Sequence, residues 1–566
     1  MTGATVEAGP APAEIAAPPL VGRKVGTGAL WSALNAGTLR VATFVVSLVA
    51  ARLIAPHDFG VFVVAVTVFN IAMSFAELGL SSAIVREHER SREIAPTIFT
   101  LSLANASVLA GLMVIFAPTL AELLGSAEAT AAIRVLALFV LLAGVSAVPA
   151  ALMTRDFMQR QRFIIDAAFL VSSTASMIVL VSLGHPVMGL AVSRLAGQVV
   201  TVVMITWMAP EHYWPGFNWR VAKPLLAFGL PLAASNLLMM VIANVDFAVV
   251  GHTLGPRQLG YYNLAFSIAG WPVTIFSAVL ISVTLPTLSR VRHSPRELTR
   301  HLAAGLSAVT ALSFPVCALC SVLAGPLIDT VYGHRWYPAW AALVVLSIFG
   351  AARTVLTLFS DLTIALGLTR WLFAIQVAWL AVLVPVMVVC VQRWGITGAG
   401  VAHAAVVTLV VIPLYMIVTK RATPVRLSAV RDALLPPLGA SLCAAGAAYA
   451  ATLPVEAPPA KLLLGLVAGL LTYALVAGRW LLPLSRRLHD MYWRKDGERA
   501  AVQPAAAETT ASARPSRAPG RHAYGAASFS VEELRRRHEA TLALAFADAP
   551  TQRIWLSQVD TAEFRR

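Results

Sequence analysis

Twelve polar or charged residues stand inside otherwise apolar stretches of the chain: Asn35, Arg40, Glu77, Arg134, Asp166, Arg194, Asn236, Asn244, Asp246, Asn263, Arg353 and His403. A charge at the centre of a membrane helix costs about 2.5–3.5 kcal/mol on insertion scales. Each such residue therefore needs a partner, a wet cavity or a ligand. The chemistry open to the set is recognition: fixed positive charge from the arginines, donors and acceptors from the asparagines, and proton or cation binding from the carboxylates Glu77 and Asp246. Arg134 lies near a helix end and reads as interfacial, and His403 beside Gly400 reads as a packing residue.

Catalytic patterns do not accompany them. The chain has no H-E-x-x-H, no G-x-x-x-x-G-K-[ST] and no G-x-S-x-G, and Gly395, Gly398 and Gly400 do not form a G-x-G-x-x-G. Cys317 and Cys320 make one C-x-x-C inside an apolar run, without the second pair a metal cage needs, and read as small apolar filler. No catalytic residue, metal site or cofactor is expected.

The elements that position these residues follow from composition. Of 566 residues, 58% are hydrophobic and 13% charged, with a mean hydropathy of +0.75, against about 25% charged in soluble domains. A spanning helix takes about 20 apolar residues. Apolar runs bounded by charge or by Pro and Gly give fourteen spans, at about 27–51, 60–85, 97–117, 131–153, 163–183, 187–208, 225–250, 260–286, 300–325, 338–359, 371–391, 396–418, 433–453 and 460–482. The loops between them reach about 16 residues, too short for the soluble platform that sugar-transferring enzymes need.

The net charge of +15 would suggest nucleic acid in a soluble protein, but its placement argues otherwise. Alternate loops collect about 19 basic residues on one side and about five on the other, which is the positive-inside pattern. Both termini are expected in the cytosol. Residues 1–22 lack the basic and apolar regions of a signal peptide and read as a disordered tail.

The segment Arg52 to Phe62, RLIAPHDFGVF, recurs as HTLGPRQLGYY from His252 to Tyr262, with Pro56 over Pro256 and Gly60 over Gly260. A looser echo links GHPVMGLA (Gly184 to Ala191) with GITGAGVA (Gly395 to Ala402). Six helices per repeat make the halves parallel, related by an axis along the membrane normal, as in transporters with a site between lobes.

The stretches RLIAPHDFGVFVVAVTVFNIAMSFAELGLSSAIVR (Arg52 to Arg86), FGLPLAASNLLMMVIANVDFAVVGHTLGPRQLGYYNLAFSIAGWPV (Phe228 to Val273) and LPTLSR (Leu285 to Arg290) resemble the polysaccharide-exporting, Wzx-like flippases of the multidrug/oligosaccharidyl-lipid/polysaccharide superfamily. Glu-Leu-Gly-Leu (Glu77 to Leu80) stands where that family usually has Asp-Leu-Gly-Leu. The resemblance implies an all-α membrane protein with two pseudo-symmetric six-helix lobes, 23–208 and 209–418, two further helices in 419–489, and a tail at 490–566 outside the likeness. It also implies movement of undecaprenyl-diphosphate-linked oligosaccharide from the inner to the outer leaflet of a bacterial cytoplasmic membrane, for cell-surface polysaccharide such as lipopolysaccharide or exopolysaccharide.

Such a head group presents hydroxyls that cost roughly 2–7 kcal/mol each when left unpaired in hydrocarbon, so it needs a polar, cationic cavity. Arg40, midway along the first span, with Arg194 and Arg353 would meet the diphosphate, and Asn35, Asn236, Asn244 and Asn263 the sugar hydroxyls. Interhelical hydrogen bonds and ion pairs, Arg40 with Glu77 among them, are equally open. Glu77 and Asp246 would serve coupling or gating by binding a proton or Na⁺, or by pairing with Arg. Partners expected are the lipid-linked oligosaccharide and membrane lipids, with no nucleic acid.

In the tail, a Pro504–Arg521 linker precedes a helix at 530–547, with Ser530 and Glu533 as a capping box and an Arg535–Arg537 basic run. It would dock on anionic lipid or on polysaccharide-assembly proteins, or stay solvated. Two alternative functions remain open at this point: a multidrug/organic-cation antiporter, disfavoured by the arginine surplus, and a non-transporting scaffold for polysaccharide assembly.

Overall fold

A computed structural model of the chain describes residues 38–39, 42–76, 84, 91–211, 213–291, 294–423 and 427–489. Fourteen long helices are found among the described residues: α1 (Ala42–Leu53), α2 (Pro56–Ala76), α3 (Ser91–Leu123), α4 (Thr130–Arg155), α5 (Gln159–Ser182), α6 (Pro186–Met208), α7 (219–254), α8 (256–291), α9 (Pro295–Val322), α10 (Trp340–Ala365), α11 (369–394), α12 (396–422), α13 (Leu427–Thr452) and α14 (Pro458–His489). They lie where the apolar runs of the sequence predict spans. The N-terminal tail, the segment around Asn35 and Arg40, Glu77 with its Glu-Leu-Gly-Leu motif, and the tail with its expected 530–547 helix fall outside the described residues.

Lipid offers no hydrogen bonds, so each span must satisfy its own main chain, and a helix does so within one segment. Pro96, Pro118, Pro149, Pro315 and Pro385 lie inside helices rather than ending them. This is the tolerance expected where neighbouring helices re-satisfy the freed carbonyl. Two junctions are sharper than loops. The run Trp219–Val291 turns at Gly255 (φ 80°, ψ 176°), and the run Thr369–Val406 at Gly395 (φ 61°, ψ −143°). Both backbones lie in territory that glycine enters without penalty. Gly184, between α5 and α6, also has a positive φ of 88°, so the looser sequence echo marks two equivalent hairpins.

The strong repeat marks the centre of the molecule. Helix α2 packs along the α7–α8 run, and α10 contacts that run, α9 and α11–α12. At the crossing of α2 and α8 the two glycines exchange places. A methyl on Gly60 would overlap the Pro256 carbonyl, and one on Gly260 would overlap the Pro56 carbonyl. The twofold relation read from the sequence thus appears as a reciprocal main-chain contact.

Helices α13 and α14 pack on each other and on α9. The small-residue pair on α14 serves that packing: a side chain on Gly465 would strike Leu323, and one on Gly469 would strike Leu319. The Tyr473 hydroxyl donates to the Ala311 carbonyl at 2.6 Å.

Away from the glycine crossing, Arg92 and Arg155 reach Glu211 at 3.6 and 3.7 Å, and Tyr213 donates to the same carboxylate. That hydrogen bond, then the two guanidinia, hold Glu211 below the usual carboxylate range. Burial, then the bond to Glu211, pushes Tyr213 up to about 12.

Two outcomes follow for stability. Gly260→Val places a branched side chain against the Pro56 carbonyl, and overpacking of this kind costs about 1–3 kcal/mol. The purified variant should unfold at a lower temperature than Ala or Val substitutions at Gly270, where space is open; equal midpoints would contradict the close contact. Because Glu211 ionises more readily in the folded protein, its contribution is present above its ordinary range and fades as pH falls through the lowered value. Glu211→Gln should therefore be less stable than the parent at neutral pH, with the difference closing in acid.

Candidate functional site

The lobes meet in a seam built largely from main chain. At the end of α1, carbonyl oxygens have no partner in their own helix, as at any helix C-terminus. Here the other lobe supplies the donors. The Trp336 indole donates to Ala51 O at 2.7 Å, and Arg335 donates to Ala51 O at 3.0 Å and also to Arg52 O. Arg52 returns the exchange, donating from Nε to Val331 O at 3.0 Å and from its terminal nitrogen to Thr330 O at 2.7 Å. Those acceptors end a π-helical turn, Ile328–Tyr332.

The pseudo-symmetric counterpart is simpler. His252, at the end of α7, contacts Leu123 O at 2.9 Å, and Gly251 lies against the Leu124 carbonyl. Trp336 is fully buried, edge-on to Phe59 of α2 (5.6 Å) and Tyr261 of α8 (6.1 Å). Further along the same interface, Asn70 of α2 donates to the Asn244 side-chain oxygen of α7 at 3.4 Å.

The polar residues singled out in the sequence divide between lobes. Arg194 on α6 is half-buried and lies over Phe62 and Phe69 of α2, at 5.5 and 6.0 Å from the ring centres. It makes no ion pair among the described residues. Arg353 on α10, also half-buried, lines a small cavity with Phe266, Ala269, Gly270, Leu346, Phe349 and Gly350. Asn244 is buried and takes the interhelical role, donating to Met240 O at 2.8 Å and accepting from Asn70. Asn236 and Asn263 are half-buried.

Asp246, 1% exposed, is not paired with arginine. Its Oδ2 accepts the Tyr262 hydroxyl at 2.7 Å and faces His403 Nε2 at 3.3 Å. Arg353 stands within electrostatic reach of the carboxylate. The structure thus brings Asp246, Tyr262, His403 and Arg353 together from α7, α8, α12 and α10.

Sequence reasoning missed several of these residues. His403 read as packing because a histidine beside glycine carries no partner in its own helix. Tyr262 lay within the repeat that exposed Gly260, and its hydroxyl was the available signal. Trp336 sits in a 3₁₀ turn, His334–Ala339, and its partner is a main-chain carbonyl that no sequence pattern marks.

Comparison with known proteins places this architecture. A model of the family described as "Polysaccharide biosynthesis protein" matches residues 49–341, just over half of the chain. The chain belongs to that family. The chain is 22% identical over 399 residues to the lipopolysaccharide biosynthesis protein WzxC of Escherichia coli (strain K12), covering 70% of this chain and 81% of that one. It is 26% identical over 335 residues to the succinoglycan biosynthesis transport protein ExoT of Rhizobium meliloti (strain 1021), covering 58% and 66%.

Among solved structures, the lipid II flippase MurJ in an inward closed conformation shares the fold at TM-score 0.65 and 16% identity, covering 79% of this chain and 99% of that chain. An inward-facing multidrug resistance MATE family transporter follows at TM-score 0.56 and 17% identity, covering 68% and 95%. The expectation of a multi-pass transporter rather than an enzyme agrees with these relatives.

The seam gives a direct test. Val61 is fully buried beside Gly60, so a cysteine there should resist a water-soluble thiol reagent when the four native cysteines are replaced. Adding Trp336→Ala removes the plug between Phe59 and Tyr261 and should speed labelling about tenfold for each 1.4 kcal/mol by which the closed seam is weakened. An unchanged labelling rate would show that Trp336 does not hold the seam.

Proposed function

We propose that the chain moves undecaprenyl-diphosphate-linked oligosaccharide from the inner to the outer leaflet of a bacterial cytoplasmic membrane, for cell-surface polysaccharide assembly, by alternating access between its lobes. The reading rests on family membership and on one observation above all. The lobes are joined at the α1–α2 and α7–α8 junctions by a seam of reciprocal contacts, while intramembrane cations lie beneath it. The basic-loop pattern assigns that end to the outside, so the arrangement reads as the outward-closed member of an alternating pair.

In this reading the three arginines Arg40, Arg194 and Arg353 meet the diphosphate. An unpaired guanidinium is costly in the membrane, and a diphosphate offers the charge that offsets it. Arg194 shares the face of α2 that Phe62 and Phe69 occupy, and Arg353 opens on the cavity beside Phe349, so each lobe would contribute one cation. Asn35, Asn236 and Asn263 are assigned to sugar hydroxyls. Asn244 is assigned to the interface instead, because its amide is already bonded to α2 and to its own helix. Glu77 and Asp246 are assigned to coupling or gating. The tail beyond Asp490 is assigned to anionic lipid or assembly proteins, and both termini to the cytosol.

Reconstitution tests the proposal. Wild-type protein in liposomes should move a fluorescent undecaprenyl-diphosphate oligosaccharide between leaflets. Arg40→Ala, Arg194→Ala and Arg353→Ala should each slow it about tenfold or more, the equivalent of at least 1.4 kcal/mol. Absence of movement by the wild type, with efflux of organic cations instead, would overturn the lipid reading. Full activity in an arginine variant would remove that residue from the site.

A further inference from the structure

Asp246 is the most enclosed carboxylate among the described residues, and its surroundings are unusual for a structural ion pair. Oδ2 takes the Tyr262 hydroxyl and faces His403 Nε2, while Oδ1 accepts the neighbouring Phe247 N–H at 2.9 Å. His403, 4% exposed, is stacked on Phe349 with ring centres 4.6 Å apart. Its other nitrogen, Nδ1, is buried and has no hydrogen-bond partner among the described residues.

These contacts assign the proton. A neutral imidazole with its hydrogen on Nε2 donates to Asp246 and leaves Nδ1 as a bare acceptor. A second proton has two places to go, and either one breaks the arrangement. On Nδ1 it becomes a charged donor in an apolar pocket with nothing to accept it. On Asp246 it turns an acceptor of several hydrogen bonds into a carboxylic acid that must give one of them up. The geometry described here is therefore that of the proton-free cluster, its carboxylate held by three donors and within electrostatic reach of Arg353.

A metal cation suits the site poorly. Hard cations take six or more oxygen ligands, whereas here the carboxylate oxygens are occupied by donors and no group of three His, Cys, Asp or Glu is gathered for a metal among the described residues. The ionisable groups facing Asp246 are Tyr262 from α8, His403 from α12 and Arg353 from α10. Helix α2 reaches this stretch through the Asn70 amide, which donates to Asn244.

The cluster also adjoins the seam. Tyr262 follows directly on Gly260 and Tyr261, which hold the Pro56 carbonyl and Trp336. A change in the Tyr262–Asp246 bond thus acts on the first turns of α8, where the lobes touch. One π-helical turn, Val407–Val411, begins four residues after His403 in α12, and such turns give a helix room to rearrange.

We propose that Asp246 and His403 form a proton-binding site whose occupancy releases the seam: proton-free, the seam is closed, and uptake of one proton favours its opening. This deepens the assignment of Asp246 to coupling or gating and rests on it, but not on the identity of the transported lipid.

Two measurements on the full-length protein in lipid nanodiscs test it. Infrared difference spectra recorded over a pH series should show a carboxyl or imidazole transition that is lost in both Asp246→Asn and His403→Gln. Nitroxide labels at Leu53→Cys and Tyr337→Cys, exposed positions on opposite sides of the seam, should report a longer distance as pH falls. The open-to-closed ratio should change by up to about tenfold per pH unit, the limit for one linked proton, and His403→Gln should abolish that dependence while eluting as a folded monodisperse protein. Spectra that titrate alike in all three proteins, or distances indifferent to pH in the wild type, would overturn the proposal, as would a response to Na⁺ in place of protons. A wild type that shows both pH effects yet moves no labelled lipid would instead overturn the transport reading alone.

Discussion

Two main chains that need to touch set the terms for everything else in this molecule. Gly60 and Gly260 let α2 and α8 approach until each helix lies against the carbonyl of the other's opening proline. Side chains larger than hydrogen would hold the helices apart, and the partners of the seam would then miss their targets. Arg52, Arg335 and Trp336 donate to carbonyls whose positions are fixed by that approach. The burial of Trp336 between Phe59 and Tyr261 depends on it as well.

The contact also explains how polar residues inside the spans are distributed. Near the seam they are spent on holding the lobes together, as Asn70 and Asn244 are. Beside it, one carboxylate is enclosed in a hydrogen-bonded cluster, and Arg194 lies over aromatic rings. A guanidinium over a ring face is partly compensated, which allows a cation to wait in the membrane without a fixed counter-ion. A carboxylate has no comparable refuge, and Asp246 is accordingly saturated with donors.

Much of the fold was legible in the sequence because lipid makes composition decisive. Apolar length located the spans, and Pro and Gly at matching register located both the repeat and the point at which its copies meet. Proline was the weaker guide: Pro96 bounds the third span expected from the sequence but lies inside α3. The candidate site was less legible. Asp246 was singled out for its charge, yet its partners Tyr262 and His403 lie 16 and 157 residues away, and no local pattern records that distance. Arg52 and Trp336 escaped notice because their partners are carbonyl oxygens, which every residue possesses and no sequence motif marks.

A lock made of main-chain acceptors at helix ends offers its partners to water as readily as to arginine. Separation therefore trades one set of hydrogen bonds for another instead of stranding them. Parting the helices would therefore strand few polar groups, and what it would give up is the burial of Trp336 between Phe59 and Tyr261.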